Sequence, residues 1–228
     1  MQTSQGKAET FQAIFFDMDG LFLDSEPAWH AGETELMLEL GYDWTESDQL
    51  HCLGGPLTRI SIYMSQCVKG SHSPDWFMKT IVSRMSLRLK NGAAPMPGAM
   101  ELSDSLAASG IRHGLVSASP RVIVDSVLAG FSHHNFEISV AAGDIERTKP
   151  FPDPYLHAAK LLGVDITQCL IFEDSGTGIQ AAKSSGAFVV AVPQFIEVEE
   201  EKRLKVIKSL TEVNLEKIAN YYELDKSI

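Results

Sequence analysis

Basic residues are in short supply: 19 Lys and Arg stand against 30 Asp and Glu, for a formal net charge of −11. A nucleic-acid partner calls for a basic face, so none is expected. The same charge repels an anionic substrate at long range, so a bound phosphate would have to be held by local cations. Cysteine is scarce too. Cys52, Cys67 and Cys169 are far apart with no metal-type spacing, which reads as free thiols in a reducing compartment and excludes a disulfide framework. Long apolar runs are missing, and the polar stretch Met1 to Thr10 has no signal-peptide core. The expectation is a cytoplasmic protein without a membrane partner, monomeric by default. What the chain does have is ordinary globular composition, 44% hydrophobic and 21% charged over 228 residues. That is enough for a full core carrying a large insertion.

One stretch organises the rest: Phe11-Gln-Ala-Ile-Phe-Phe-Asp17-Met-Asp19-Gly20-Leu-Phe-Leu-Asp24-Ser25. Ala13 to Phe16 is apolar, aromatic and branched, the right length for a buried strand and too short for a helix. It ends in two carboxylates one residue apart and then Gly20, which permits a turn that other residues resist. Acids at the carboxyl end of a central strand face the crevice where ligands bind in α/β sheets. So close together they repel unless a cation or a shared proton relieves them. A solvated turn would explain the tetrapeptide alone; its place after a strand favours function.

After Asp24 the period becomes helical. Asp24 or Ser25 is a candidate cap, Pro27 suits the first turn, and Trp29, Leu36, Met37 and Leu40 share a face that ends at Gly41. Further helices are expected over residues 56–68 and 74–89, the latter with Phe77, Ile81, Met85 and Leu89 on one stripe. From Gly98 helices alternate with strands, the mark of a parallel sheet. Helices are expected over 99–109, 121–128, 153–162 and 178–185, and strands over 112–116, 138–141, 169–172 and 188–192. The stretch 197–223 reads as charged and helical, with 207–210 a candidate edge strand. The predicted organisation is therefore a loose tail (residues 1–10), a Rossmann-like α/β core in two pieces (11–24 and 97–228) and an inserted helical unit (25–96).

Three more polar clusters follow predicted strands. Ser117-Ala118-Ser119 offers hydroxyls and N–H groups that could hold a phosphoryl oxygen, although Ser119 before Pro120 also fits a helix cap. Thr148-Lys149-Pro150-Phe-Pro152-Asp153-Pro154 presents one lysine from a stiff loop, where a lone lysine would ordinarily be a solvated surface group. Glu173-Asp174-Ser175-Gly176-Thr177-Gly178 sets adjacent acids at a strand end, suited to a hard cation, though acid pairs commonly belong to exposed loops.

Taken together, and in this order, the four segments resemble the motifs of the haloacid dehalogenase-like superfamily of aspartate-nucleophile phosphohydrolases, in its sugar-phosphate phosphatase and β-phosphoglucomutase branch. The resemblance implies a helical cap over an α/β core and hydrolysis of a small phosphorylated metabolite, a hexose phosphate by preference. It implies Mg²⁺ held by Asp17, Asp174 and the backbone carbonyl of Asp19, with Glu173 a weaker, outer-shell contributor. Asp17 is then the nucleophile and Asp19 the acid and base. Lys149 and Ser117 hold the phosphate, with N–H groups near Gly20 and Ala118. Dehalogenating relatives lack an acid at the position of Asp19, so a dehalogenase is not expected.

A phosphomutase is the nearest rival. The mutase pattern has a histidine where Trp29 stands and a cap lysine where Gly54 stands in Leu53-Gly54-Gly55; both departures favour hydrolysis. Asp-Ser-Glu-Pro-x-Trp resembles hexose-phosphate phosphatases instead. Trp29, Gly54 and Gly55 are candidate substrate contacts, with Trp29 equally readable as an anchor of the cap core. His30 and Arg59 are within reach of the crevice, though a solvated face is the plainer reading for both. A more distant rival is a phospho-aspartate signalling domain, but such domains are about half this length and have no helical insertion.

Overall fold

The computed structural model describes residues 10–53 and 55–227. The tail expected over residues 1–10, Thr10 excepted, and the candidate contact Gly54 lie outside the described residues.

Strand β1 (Ala13–Phe16) is buried at every position. It pairs in parallel with β2 (His113–Pro120) on one side and β4 (Cys169–Glu173) on the other. With β3 (Ile138–Ala142), β5 (Phe188–Ala191) and β6 (Leu204–Val206) they form one parallel sheet in the order β3-β2-β1-β4-β5-β6. The chain builds outward from β1 in one direction, then crosses to β4 and builds outward in the other. The strand order therefore reverses between β1 and β4, where a crevice opens at the carboxyl ends.

Four helices fill the insertion: α1 (Glu26–Glu39), α2 (Glu46–Cys52), α3 (Leu57–Cys67) and α4 (Pro74–Lys90). The stripe Phe77, Ile81, Met85 and Leu89 is buried as its spacing predicts. Helix α2 is a finding. It is short, and it is held by a capping box in which Thr45 and Asp48 satisfy each other's backbone N–H groups. The Asp48 carboxylate also accepts from Tyr42 and Tyr63, tying α2 to α3. The two connections to the core pair with each other. Asp24 N–H donates to Ala94 O (2.9 Å), Met96 N–H donates to Phe22 O (2.9 Å), and Leu23 bridges to Pro95.

Beyond the insertion come α5 (Ala99–Ala108), α6 (Arg121–Gly130), α7 (Asp153–Leu162), α8 (Gly176–Ser185) and α9 (Leu215–Lys226). Both sheet faces are covered, so the central strands β1 and β5 are apolar at every position, and β4 up to its last residue. Ile14 and Phe16 enter a layer shared with α5, α6, α9 and the insertion, while Ala13 and Phe15 enter one shared with α7 and α8. Phe16 stacks on Phe172 at 5.2 Å and meets Phe22 edge-on. Each such buried ring contributes about 1.5–3 kcal/mol. Among the described residues no helix is long and apolar enough to cross a membrane.

Three expectations need correction. Strand β2 continues through Ser119, and α6 starts at Arg121 without a side-chain cap, so Ser119 caps nothing. The Ser25 hydroxyl likewise makes no cap bond to α1; both hydroxyls are drawn to a carboxylate in the crevice. The charged stretch after residue 196 is not mainly helical. It supplies β6, which completes the open edge of β5, then a 3₁₀ turn (Leu210–Glu212) fixed by a Ser209/Glu212 capping box, and α9 only after that. The edge strand thus lies at 204–206, not 207–210, and five strands follow the insertion where four were expected.

Candidate active site

Asp17 follows β1 and is buried, its N–H donating to Phe172 O (3.0 Å) on the neighbouring strand. Lys149, from the proline-rich loop before α7, buries its ammonium against it. That ammonium donates to Asp17 Oδ1, to Glu173 Oε1 (2.6 Å) and to Val116 O (2.9 Å). Three donors on one Nζ meet three acceptors, Asp17 after β1, Val116 within β2 and Glu173 at the end of β4. A buried charge this well paired is held in one place. Burial disfavours the charged form of Lys149, but the facing carboxylates of Asp17 and Glu173 outweigh it and leave its pKa above the usual lysine value.

Asp19, two residues on, has a different environment. Its Oδ1 accepts from Ser25 Oγ (2.8 Å), and its Oδ2 accepts from Ser119 Oγ (2.8 Å) and Ser117 Oγ (3.3 Å). Ser117 Oγ in turn accepts from the Ser119 N–H (2.9 Å). The two serines alternate along β2 and so share a face, with exposed Ala118 between them. Gly20 has φ +84°, and a Cβ there would collide with Asp174 Oδ2. Only glycine permits both the turn and that close approach.

Glu173 is fully buried with both oxygens engaged. Oε1 accepts from Lys149 and from the Tyr155 hydroxyl (2.6 Å), and Oε2 accepts from the Asp174 N–H (3.1 Å). Gly178 makes room for it, since a Cβ there would overlap the Glu173 carboxylate. Asp174 differs: its Oδ1 is buried with no hydrogen-bond partner. One carboxylate oxygen from each of Asp17, Glu173 and Asp174 lies within 4.8 Å of the others. Burial first, then the neighbouring acids, push Asp17 up to about 8 and Asp174 up to about 9, with Lys149 opposing. Crowded oxygen donors, one of them orphaned, with only a single ammonium to neutralise them, fit a hard divalent cation such as Mg²⁺.

The structure therefore brings Asp17, Asp19, Gly20, Ser117, Ala118, Ser119, Lys149, Glu173 and Asp174 to the ends of β1, β2 and β4. Trp29 and Gly55 belong to the insertion. Trp29 is half-buried against the hydrophobic core, and Gly55 faces the Arg59 guanidinium, which a Cβ would strike. His30 departs from the solvated face expected of it, since it is half-buried and its Nδ1 is buried without a partner. Arg59 is exposed. Sequence reasoning misses Tyr155, whose position on the apolar face of α7 hides a hydroxyl aimed at Glu173. It also misses Gln194, whose side-chain amide donates to Gly20 O (2.5 Å) across 174 residues of chain. No local pattern signals the latter.

A family model described as haloacid dehalogenase-like hydrolase matches residues 14–192, and the chain belongs to that family. Hexitol phosphatase B of Escherichia coli (strain K12) is 30% identical over 184 residues, covering 79% of this chain and 83% of the relative. Fructose-1-phosphate phosphatase YqaB of the same strain is 29% identical over 187 residues, covering 81% and 97%. With relatives of this kind the chain is an enzyme of the phosphatase type within the family. The crystal structure of β-phosphoglucomutase from Clostridium difficile shares the fold at a TM-score of 0.75 and 23% identity, covering 96% of this chain and 100% of that one.

Proposed function

We propose that the chain is a Mg²⁺-dependent phosphatase of a small phosphorylated metabolite, a hexose or hexitol monophosphate, and that it works through an aspartyl-phosphate on Asp17. The observation that carries the reading is the unequal treatment of two acids one residue apart. Asp17 is locked to a buried ammonium beside an orphaned carboxylate oxygen, while Asp19 is held off by serine hydroxyls. Different environments assign different roles to neighbouring carboxylates.

Asp17 and Asp174 would hold the cation with the Asp19 carbonyl. Glu173, its oxygens already taken, orients Lys149 and acts from the outer shell. When bound, the cation neutralises phosphate charge so that an anionic nucleophile can approach. An Asp17 carboxylate oxygen attacks phosphorus, and the bond to the leaving oxygen breaks as Asp19 delivers a proton to that oxygen. Lys149, Ser117 and the N–H groups near Gly20 and Ala118 hold the remaining phosphoryl oxygens, because this chemistry depends mainly on position and charge. Asp19, now a carboxylate, takes a proton from water. The water oxygen attacks phosphorus, the Asp17–phosphorus bond breaks, and inorganic phosphate leaves.

On this reading the insertion (residues 25–96) is the cap that shapes the leaving-group site, and Trp29, Gly54 and Gly55 are its candidate substrate contacts. A lid of this kind excludes water for transfer and readmits it for hydrolysis. A β-phosphoglucomutase shares the fold, but the mutase histidine and lysine are replaced by Trp29 and Gly54, which supports hydrolysis. The same reading takes the enzyme to be cytoplasmic and monomeric; its mass in solution checks the second point. The deciding experiment incubates the purified protein and Mg²⁺ with p-nitrophenyl phosphate and a panel of sugar, sugar-alcohol and nucleotide monophosphates. Catalytic release of phosphate, strongest on hexose or hexitol esters, is expected. A single stoichiometric phosphorylation without turnover would instead indicate a signalling module, and bisphosphate-dependent isomerisation a mutase.

A further inference from the structure

Glu33 is an acid in the wrong surroundings for a structural residue. It sits in the middle of α1, is 4% exposed, and makes no hydrogen bond or ion pair with any described residue. Unlike the Nδ1 of His30, its oxygens are not sealed from solvent, so the carboxylate stands as an acceptor that no protein donor satisfies. Burial and the charge of Glu26 push it up to about 7.

Its direction follows from its neighbours. Glu26, Trp29, His30 and Glu33 recur at helical spacing and share one face of α1. At the near end of that face, Glu26 is close enough to Asp19 and Asp24 for their charges to act on it. At the far end, Glu33 and Arg59 both act on the buried Cys52 thiol at the end of α2. The face thus runs from beside Asp19 to the end of α2. Glu33 lies two helical turns, roughly 10 Å, from Glu26. On the same face, the buried Nδ1 of His30 also has no partner. Further along, Leu36 and Met37 are buried in the apolar cluster, so the polar half of the face ends at Glu33.

We propose that Glu33 is the specificity residue of the leaving-group site, accepting hydrogen bonds from distal hydroxyls of an uncharged polyol or sugar moiety and repelling a second phosphate. This rests on the phosphatase reading above and narrows it to monophosphates of neutral polyhydroxy compounds. A carboxylate is an acceptor for two or more hydroxyl donors, which vicinal hydroxyls supply and an aromatic leaving group does not. Glu26 and Glu33 on one face make it hostile to a distal anion, and no cation is among the charges that act on either.

The test compares wild type, Glu33→Ala, Glu33→Gln and Glu33→Leu on fructose 1-phosphate, glucose 6-phosphate, fructose 1,6-bisphosphate and p-nitrophenyl phosphate, with Tm measured for each. Glu33→Ala should raise KM for the two sugar monophosphates about tenfold or more beyond any change for p-nitrophenyl phosphate, with kcat moved much less. Glu33→Gln, which keeps a carbonyl acceptor, should lose less. Wild type should disfavour the bisphosphate about tenfold or more, and Glu33→Leu should narrow that gap while holding or raising Tm. Should Glu33→Ala fail to fold, the volume-conserving Leu variant carries the comparison. Equal proportional changes on every ester in folded variants would overturn the assignment and leave the phosphatase reading intact. A wild-type protein inactive on every ester with Mg²⁺ would overturn that reading itself.

Discussion

The strand ends and the polar face of α1 treat their acids in opposite ways. At the strand ends Lys149 contacts three acceptors, Glu173 has both oxygens engaged, and Asp19 takes three hydroxyls; Asp174 Oδ1 is left over. On α1, the Glu33 carboxylate has no protein donor, and His30 Nδ1 is buried without a partner. A preorganised crevice costs little rearrangement when the same phosphate chemistry is done on any ester. An unsatisfied face is completed only by the right leaving group, and that is how a site discriminates. On the proposed reading, chemistry sits in the core and selectivity in the insertion.

The sharpest break of the core half is Asp17→Asn. An amide is neither a usable nucleophile nor a good hard-cation ligand, so turnover should fall by about 10⁴-fold or more. Circular dichroism and Tm should show an intact fold, since Lys149 keeps Glu173 as a partner. Metal removal should do nearly as much: chelation abolishes turnover and Mg²⁺ restores it. Ca²⁺ should inhibit, because its looser coordination lets Asp17 bind through both oxygens and misaims it. Full activity after exhaustive chelation would count against Asp174 as a ligand.

Lys149→Met strips the cation from two buried carboxylates. It should cost about 3–5 kcal/mol of stability in denaturant titration, as well as activity. Unchanged stability would show that the triad of Asp17, Lys149 and Glu173 is not a coupled unit.

Changes to the insertion should be smaller and selective. Trp29→Ala, or Gly55→Ala with its displaced Arg59, should reorder the ranking of sugar phosphates more than it alters hydrolysis of p-nitrophenyl phosphate. Equal losses on every ester would mean that these residues only hold the cap together. The smallest effect is on pH-dependent stability. Glu33 is raised from 4.5 to about 7 by burial and by the charge of Glu26 on its own helix, with the Cys52 thiol of α2 close by. Its favourable contribution is therefore complete below pH 4.5 and lost as pH rises through 7. Glu33→Leu should flatten Tm across that window, and an unaltered Tm profile would show that Glu33 is not protonated in the fold.

The sequence carries most of the core. The apolar run before Asp17, the proline-framed Lys149 and the pair Glu173-Asp174 are local patterns, and α7 falls at the expected residues because Asp153 and Gly163 mark its ends. What escapes is set by distant partners. Ser25 and Ser119 are good helix caps by local chemistry, yet Asp19 draws both hydroxyls, one from 100 residues away. Strand β6 forms where β5 offers an edge, overriding a charged stretch with helical pattern. Helix α2 is short enough that only its Thr45-x-x-Asp48 box announces it. Glu33 looks like any helical glutamate until its burial is known.

The central claim is that Asp17 becomes phosphorylated during turnover. Asp19→Asn should trap that state when p-nitrophenyl phosphate is the substrate. Its leaving group needs no proton, so the first step proceeds, while the water of the second step loses its base. Acid quench followed by peptide mass spectrometry should then find one phosphoryl group on the Asp17 peptide, absent in Asp17→Asn. Burst release of nitrophenol with an unmodified Asp17 peptide, or with the phosphoryl group on another residue, would contradict the account.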